Sequence, residues 1–83
     1  MKFKAEIDVM PLDALLDPQG KAVRIGLQNL NITQVSDVRI GKHITLQLEA
    51  ATEAAANEIV TEACKKLLAN LIMEEFEFTL TAI

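Results

Sequence analysis

Apolar residues stand at Phe3, Ala5, Ile7 and Val9, and polar ones at Lys2, Lys4, Glu6 and Asp8. A period of two sends the first set to one side of an extended chain and the second to the other, which predicts a strand with one dry face. Pro11 has no backbone N–H to give a neighbouring strand and ends the run. Met10 to Leu16 then reads as a loop with enough apolar character to lie against the body of the protein. Asp17 is a good helix N-cap, Pro18 suits the first helical position, and Leu16 supplies half of a hydrophobic staple. Ala22, Val23, Leu27 and Leu30 recur near helical spacing, and Asn31 tolerates the left-handed conformation that closes a helix. The spacing predicts a helix over about 18–30.

Val35 to Ile40 and Ile44 to Leu48 read as a second and third strand around Gly41. A two-residue turn would set their apolar faces on opposite sides of the sheet. A three-residue loop of Gly41, Lys42 and His43 instead puts Ile40 opposite Ile44 and Val38 opposite Leu46, and a bulge would serve the same end. Thr52 predicts the cap of a second helix running to about Asn70, with Glu53 in its first turn and Lys65 and Lys66 near its last. Ala56, Ile59, Val60, Ala63 and Leu67 form its expected buried stripe. Phe76, Phe78, Leu80 and Ala82 alternate with Glu75, Glu77, Thr79 and Thr81 in a final strand. The order βαββαβ predicts an α+β, ferredoxin-like sandwich: one four-stranded antiparallel sheet, both helices on one face, the other face bare.

Composition sharpens this picture. Eighty-three residues make a single domain, 1–83, and a chain this short buries only about 60% of the surface its unfolded form exposes. One cysteine and one histidine can form neither an internal disulfide nor a four-ligand zinc site, which excludes a secreted disulfide scaffold. With 12 acidic and 8 basic residues the net charge is −4, so nucleic acid and anionic lipid are not expected partners. No apolar run approaches the roughly 18 residues of a membrane span, and the chain reads as soluble and cytoplasmic. Hydrophobic residues make up 51% against 24% charged, a surplus on so small a body that points to a subunit interface.

Candidate chemistry is sparse. Cys64 and His43 are the only nucleophile and base that could pair, but Cys64 falls mid-helix as a small hydrophobe and His43 sits at an expected hairpin tip with no carboxylate nearby in sequence. Glu74, Glu75 and Glu77 are expected to protect a strand from edge-to-edge association. Lys21, Arg39 and Lys42 form a small basic spot. Gly20, Gly26 and Gly41 match no phosphate-loop spacing.

Two segments carry more turn chemistry and exposed polar character than the scaffold needs: Leu15-Leu16-Asp17-Pro18-Gln19-Gly20-Lys21-Ala22-Val23 and Asp37-Val38-Arg39-Ile40-Gly41-Lys42. Together with the chain length, the element order and the Leu27 to Leu30 spacing, they resemble the PurS family, small subunits of phosphoribosylformylglycinamidine synthase, over essentially the whole chain. Asn31 stands where this family commonly has glycine, and Leu71 where it often has proline. The resemblance implies a subunit of a glutamine-dependent, ATP-hydrolysing C–N ligase of de novo purine biosynthesis, without an active site of its own. Its implied partners are the large synthetase subunit (PurL), the glutaminase subunit (PurQ) and further copies of itself, as a dimer or dimer of dimers. No cofactor is implied on this subunit, ATP and Mg being used by the synthetase. Carried over onto this sequence, the contact residues are Asp17, Pro18, Gln19, Gly20, Asp37, Arg39, Gly41 and Lys42. A small-molecule-sensing ferredoxin-like module is the alternative, since the fold alone decides nothing.

Overall fold

The computed structural model describes residues 1–13 and 17–83. The expected staple residue Leu16 and the end of the expected loop lie outside the described residues. Among the described residues the sheet has three antiparallel strands: β1 (Lys2–Pro11) in the centre, β2 (Lys42–Glu49) on one side and β3 (Glu74–Ala82) on the other. Phe3, Ala5, Ile7 and Val9 of β1 are all buried. Cross-strand pairing aligns Ile44, Leu46 and Leu48 of β2 and Phe76, Phe78 and Leu80 of β3 with them, so one face of the sheet is apolar throughout. The opposite face carries Lys4, Glu6 and Asp8 beside Thr45, His43, Thr79 and Glu77. That face is bare, as expected, but it is polar and needs no cover.

Helix α2 (Glu53–Ala63) lies on the apolar face, capped by Thr52, whose Oγ1 accepts from the Ala55 N–H at 3.1 Å. Its buried stripe is Ala56, Val60 and Cys64, an i, i+4, i+8 row of which Val60 and Cys64 join Ala5, Ile7 and Val9 in the core. The expected stripe members Ile59 and Leu67 are exposed. The reason for Leu67 is a π-turn at Cys64–Leu68, where the Ala69 N–H bonds the Cys64 carbonyl five residues back at 2.9 Å. The extra residue rotates the helix phase, so Leu67 is 82% exposed and Leu68 packs on the core in its place. Asn70 then reverses the chain, its side-chain oxygen accepting from the Ile72 N–H at 3.1 Å.

Helix α1 (Pro18–Asn29) starts with Asp17 as cap and Pro18 at its first turn, as the sequence predicts. It ends in a Schellman closure. Asn31 takes φ 64°, with its N–H bonded to the Gln28 carbonyl at 3.0 Å and the Ile32 N–H to the Leu27 carbonyl at 2.9 Å.

Two features depart from the ferredoxin-like expectation. Residues 35–40 form no strand, and the hairpin about Gly41 is absent: Lys42 and His43 belong to the ladder, opposite Val9 and Asp8 of β1. The segment is instead held against α1. Moreover, α1 packs substantially on neither the sheet nor α2, so among the described residues α2 is the helix that covers the sheet. The chain measures 52 × 27 × 14 Å with a radius of gyration of 16.4 Å, against about 12 Å for a compact domain of this length. A body of sheet and α2 therefore carries a projecting arm of α1 and its returning segment.

The phase shift at the π-turn predicts opposite responses from adjacent leucines. Leu67→Gln changes stability by less than about 0.5 kcal/mol, whereas Leu68→Ala costs about 2 kcal/mol or more as a cavity. Denaturant melts of the two variants check this, and equal losses would refute the shifted stripe.

Candidate functional site

The two segments that stand out in the sequence meet at the root of the arm. The carboxylate of Asp17 accepts from the Gly20 N–H at 3.0 Å through one oxygen and from the Ile40 N–H at 2.9 Å through the other. One side chain thus caps α1 and fastens the returning segment to it. These two backbone donors, aided by the nearby Arg39 guanidinium, hold the Asp17 carboxyl below the usual carboxylate range, while desolvation opposes them. Gly20 is buried against the Val38 carbonyl oxygen, with no room for a side chain. One helical turn on, Arg24 donates to the Ser36 carbonyl at 3.2 Å. Arg39 turns the other way, donating to the Asp13 carboxylate and to the Pro11 carbonyl at the end of β1. Gly41 passes against Val9 and Met10, where a side chain would collide with backbone.

This packing leaves a cleft of about 270 Å³ lined by Asp13, Asp17 and Asp37 and by Lys21, Arg24 and Arg39. Three carboxylates against three cations give it no net preference for anion or cation. A second cleft, of about 380 Å³, lies where the start of α1 meets the start of β3, with Pro18, Gln19, Ile40 and Met73 in its walls. Of the eight predicted contact residues, Asp17, Gly20, Arg39 and Gly41 are occupied in holding the chain to itself, while Pro18, Gln19, Asp37 and Lys42 are exposed. The predicted basic spot divides: Lys21 and Arg39 share the first cleft, and Lys42 stands in β2. Asp13 and Arg24 are participants the sequence did not reveal. The i+4 spacing of Arg24 from Gly20 was a usable signal; Asp13 had none, because its partner is 26 residues away.

Elsewhere, His43 is not at a turn. Its Nδ1 lies 2.6 Å from the Asp8 carboxylate across the β1–β2 ladder, on the polar face. Cys64 is fully buried on the other face, and burial pushes its thiol up from the ordinary range. The sheet separates the two, so they form no nucleophile–base pair. Glu75 and Glu77 project from the polar side of the edge strand β3, and Glu74 accepts from the Asn70 N–H at 2.8 Å.

Asp17→Asn isolates the bond to the returning segment, because an amide offers one oxygen where the carboxylate serves two donors. A carboxyl with a lowered folded pKa stabilises the fold above its unfolded value, here 3.8, and loses that contribution as pH falls through the folded value. Asp17→Asn therefore melts below the parent at pH 7, and the gap closes below pH 3.8. Thermal melts across that range check it; a gap independent of pH would remove the charged form from the account.

The PurS family model, described as phosphoribosylformylglycinamidine (FGAM) synthase, matches residues 4–82. Over 81 residues the chain is 49% identical to the phosphoribosylformylglycinamidine synthase subunit PurS of Synechocystis sp., covering 98% of this chain and 81% of that protein. Its fold superimposes on B. subtilis PurS in the C2 crystal form with a TM-score of 0.88 at 35% identity, covering 95% and 98% of the two chains. It also matches a chain in the structure of PurLQS from Thermotoga maritima with a TM-score of 0.89 at 36% identity, covering 98% of this chain and 99% of that one. Sequence and fold agree along nearly the full length, and the chain belongs to the PurS family.

Proposed function

We propose that this chain is the small, non-catalytic subunit of phosphoribosylformylglycinamidine synthase in de novo purine biosynthesis, working in the cytoplasm. It bridges the ATP-dependent synthetase (PurL) and the glutaminase (PurQ) and assists the transfer of ammonia between them. The single observation that carries this reading is the near-complete match to a chain of the Thermotoga maritima PurLQS structure.

The chemistry is consistent with a positioning role. Ammonia released into water near neutral pH is protonated and ceases to be a nucleophile, so a subunit that aligns two sites and excludes solvent contributes without supplying an acid or a base. ATP and Mg belong to the synthetase in this reading, and this chain carries no cofactor. The exposed side chains of Gln19, Asp37 and Lys42, around the braced root of the arm, are the surface offered to a partner. Self-association, as a dimer or dimer of dimers, is part of the same reading. So is the fourth strand of the ferredoxin-like layer, for which the outer edge of β2 is free in the single chain.

The test is amidation of formylglycinamide ribonucleotide by the cognate synthetase and glutaminase, with and without this chain, using glutamine or an ammonium salt. Omitting the chain lowers the glutamine-dependent rate by about tenfold or more, equivalent to about 1.4 kcal/mol in the barrier, and leaves the ammonium-dependent rate nearly unchanged. Should neither rate respond, the bridging role is wrong and ligand sensing becomes the reading to pursue.

A further inference from the structure

The surface offered to a partner straddles a joint. Gln19 and Asp37 ride on the arm, at the first turn of α1 and in the returning segment, whereas Lys42 belongs to β2 and stays with the sheet. Their relative placement depends on what fixes the arm to the body. Asp17 joins the two segments of the arm at its root and Arg24 joins them one turn on, but neither reaches the strands.

Among the described residues, the hydrogen bonds and ion pairs that run from residues 17–40 to the rest of the chain are those of one side chain, Arg39. One terminal nitrogen donates to the Asp13 carboxylate just past β1, the other to the carbonyl of Pro11, the last residue of that strand. The Arg39 Nε is buried and has no partner. An unpaired buried donor is unfavourable, so the two bonds at the tip must outweigh it for the side chain to hold this place. A planar fork that meets two acceptors fixes direction as well as distance, which an ammonium on a flexible stem does not. Packing adds little across the joint, since α1 packs substantially on neither the sheet nor α2, and a cleft of about 380 Å³ separates its start from the start of β3.

We propose that Arg39 is a positioning residue. By bolting the returning segment to Pro11 and Asp13 it sets the direction of the arm, and with it the placement of Gln19 and Asp37 relative to Lys42. A partner then meets one rigid surface, and the alignment that ammonia transfer needs depends on that rigidity. Asp17 keeps the arm together; Arg39 aims it. The inference rests on the bridging role proposed above, and it gives Arg39 an aligning task in place of a contact with the partner.

Spin labels on Gln28→Cys in α1 and Glu58→Cys in α2, both exposed positions, read the arm against the body by electron–electron double resonance. Cys64 is buried and stays unlabelled, and dilution with unlabelled chain keeps the measured pair within one molecule. The parent gives one narrow distance distribution. Arg39→Met and Arg39→Lys keep the parent circular dichroism spectrum but widen the distribution about twofold or more, since neither supplies the fork. Asp13→Ala, at a side chain 93% exposed, removes one acceptor and widens it less. In the amidation assay both Arg39 variants lower the glutamine-dependent rate about threefold or more and leave the ammonium-dependent rate in place. A parent-width distribution in Arg39→Met, or full recovery in Arg39→Lys, overturns the two-acceptor bolt. Should both variants fail to fold, a parent-width distribution in Asp13→Ala does the same. A widened distribution with an unchanged glutamine-dependent rate overturns the link to ammonia transfer. If the parent chain itself leaves that rate unaffected, the bridging role is what fails, and the distances still decide the bolt.

Discussion

Everything in this molecule is built on the dry side of one strand. Phe3, Ala5, Ile7 and Val9 of β1 are shielded from water, and both neighbouring strands take their register from them. Because side chains alternate strictly, a slip of one residue would expose this row and bury Lys4, Glu6 and Asp8, an exchange no packing elsewhere could offset. The row also selects what packs above it. Val60 and Cys64 are small enough to sit directly on β1, and larger residues fill in from the flanks. The core is therefore narrow, one strand wide and one helix deep.

A core so narrow leaves the rest of the chain to be organised by polar contacts. At the arm root a single carboxylate, Asp17, ties two segments 23 residues apart, and Arg39 ties the same region to the end of β1. Gly20 and Gly41 allow backbones to touch there. These contacts explain why residues 17–20 and 37–41 stand out in the sequence: their shared demand is mutual fit. Only part of each block is left facing solvent, including the side chains of Pro18, Gln19, Lys21, Asp37 and Lys42.

Local signals were legible in the sequence wherever local physics decides. The caps at Asp17 and Thr52, the left-handed closure at Asn31 and the alternation of the first and last strands all followed from spacing and side-chain chemistry. The expected strand at residues 35–40 did not form because its backbone groups are claimed from a distance: the Ile40 N–H by Asp17 and the Ser36 carbonyl by Arg24. Apolar content cannot reveal that competition. The extra residue in the turn after Ala63 was equally hidden, since Leu67 and Leu68 offer the same side chain and only the phase of the backbone chooses between them. The pairing of His43 with Asp8 depended on the true β1–β2 register, which the expected hairpin had displaced.

The distribution of unmet surface explains why this chain acts as a part. Its polar sheet face is content in water, the cleft at the arm root balances positive against negative charge, and its cysteine is sealed in the core. Among the described residues, exposed large apolar side chains include Val23 and Leu30 of α1, Ile59 of α2, and Leu67, Leu71, Ile72 and Met73 at the turn before β3. Apolar surface offered to solvent raises the free energy of the isolated chain in rough proportion to its area. Burying it against other protein therefore stabilises the assembled state relative to the free one. These surfaces face outward, which suits a chain of the PurS subunit family.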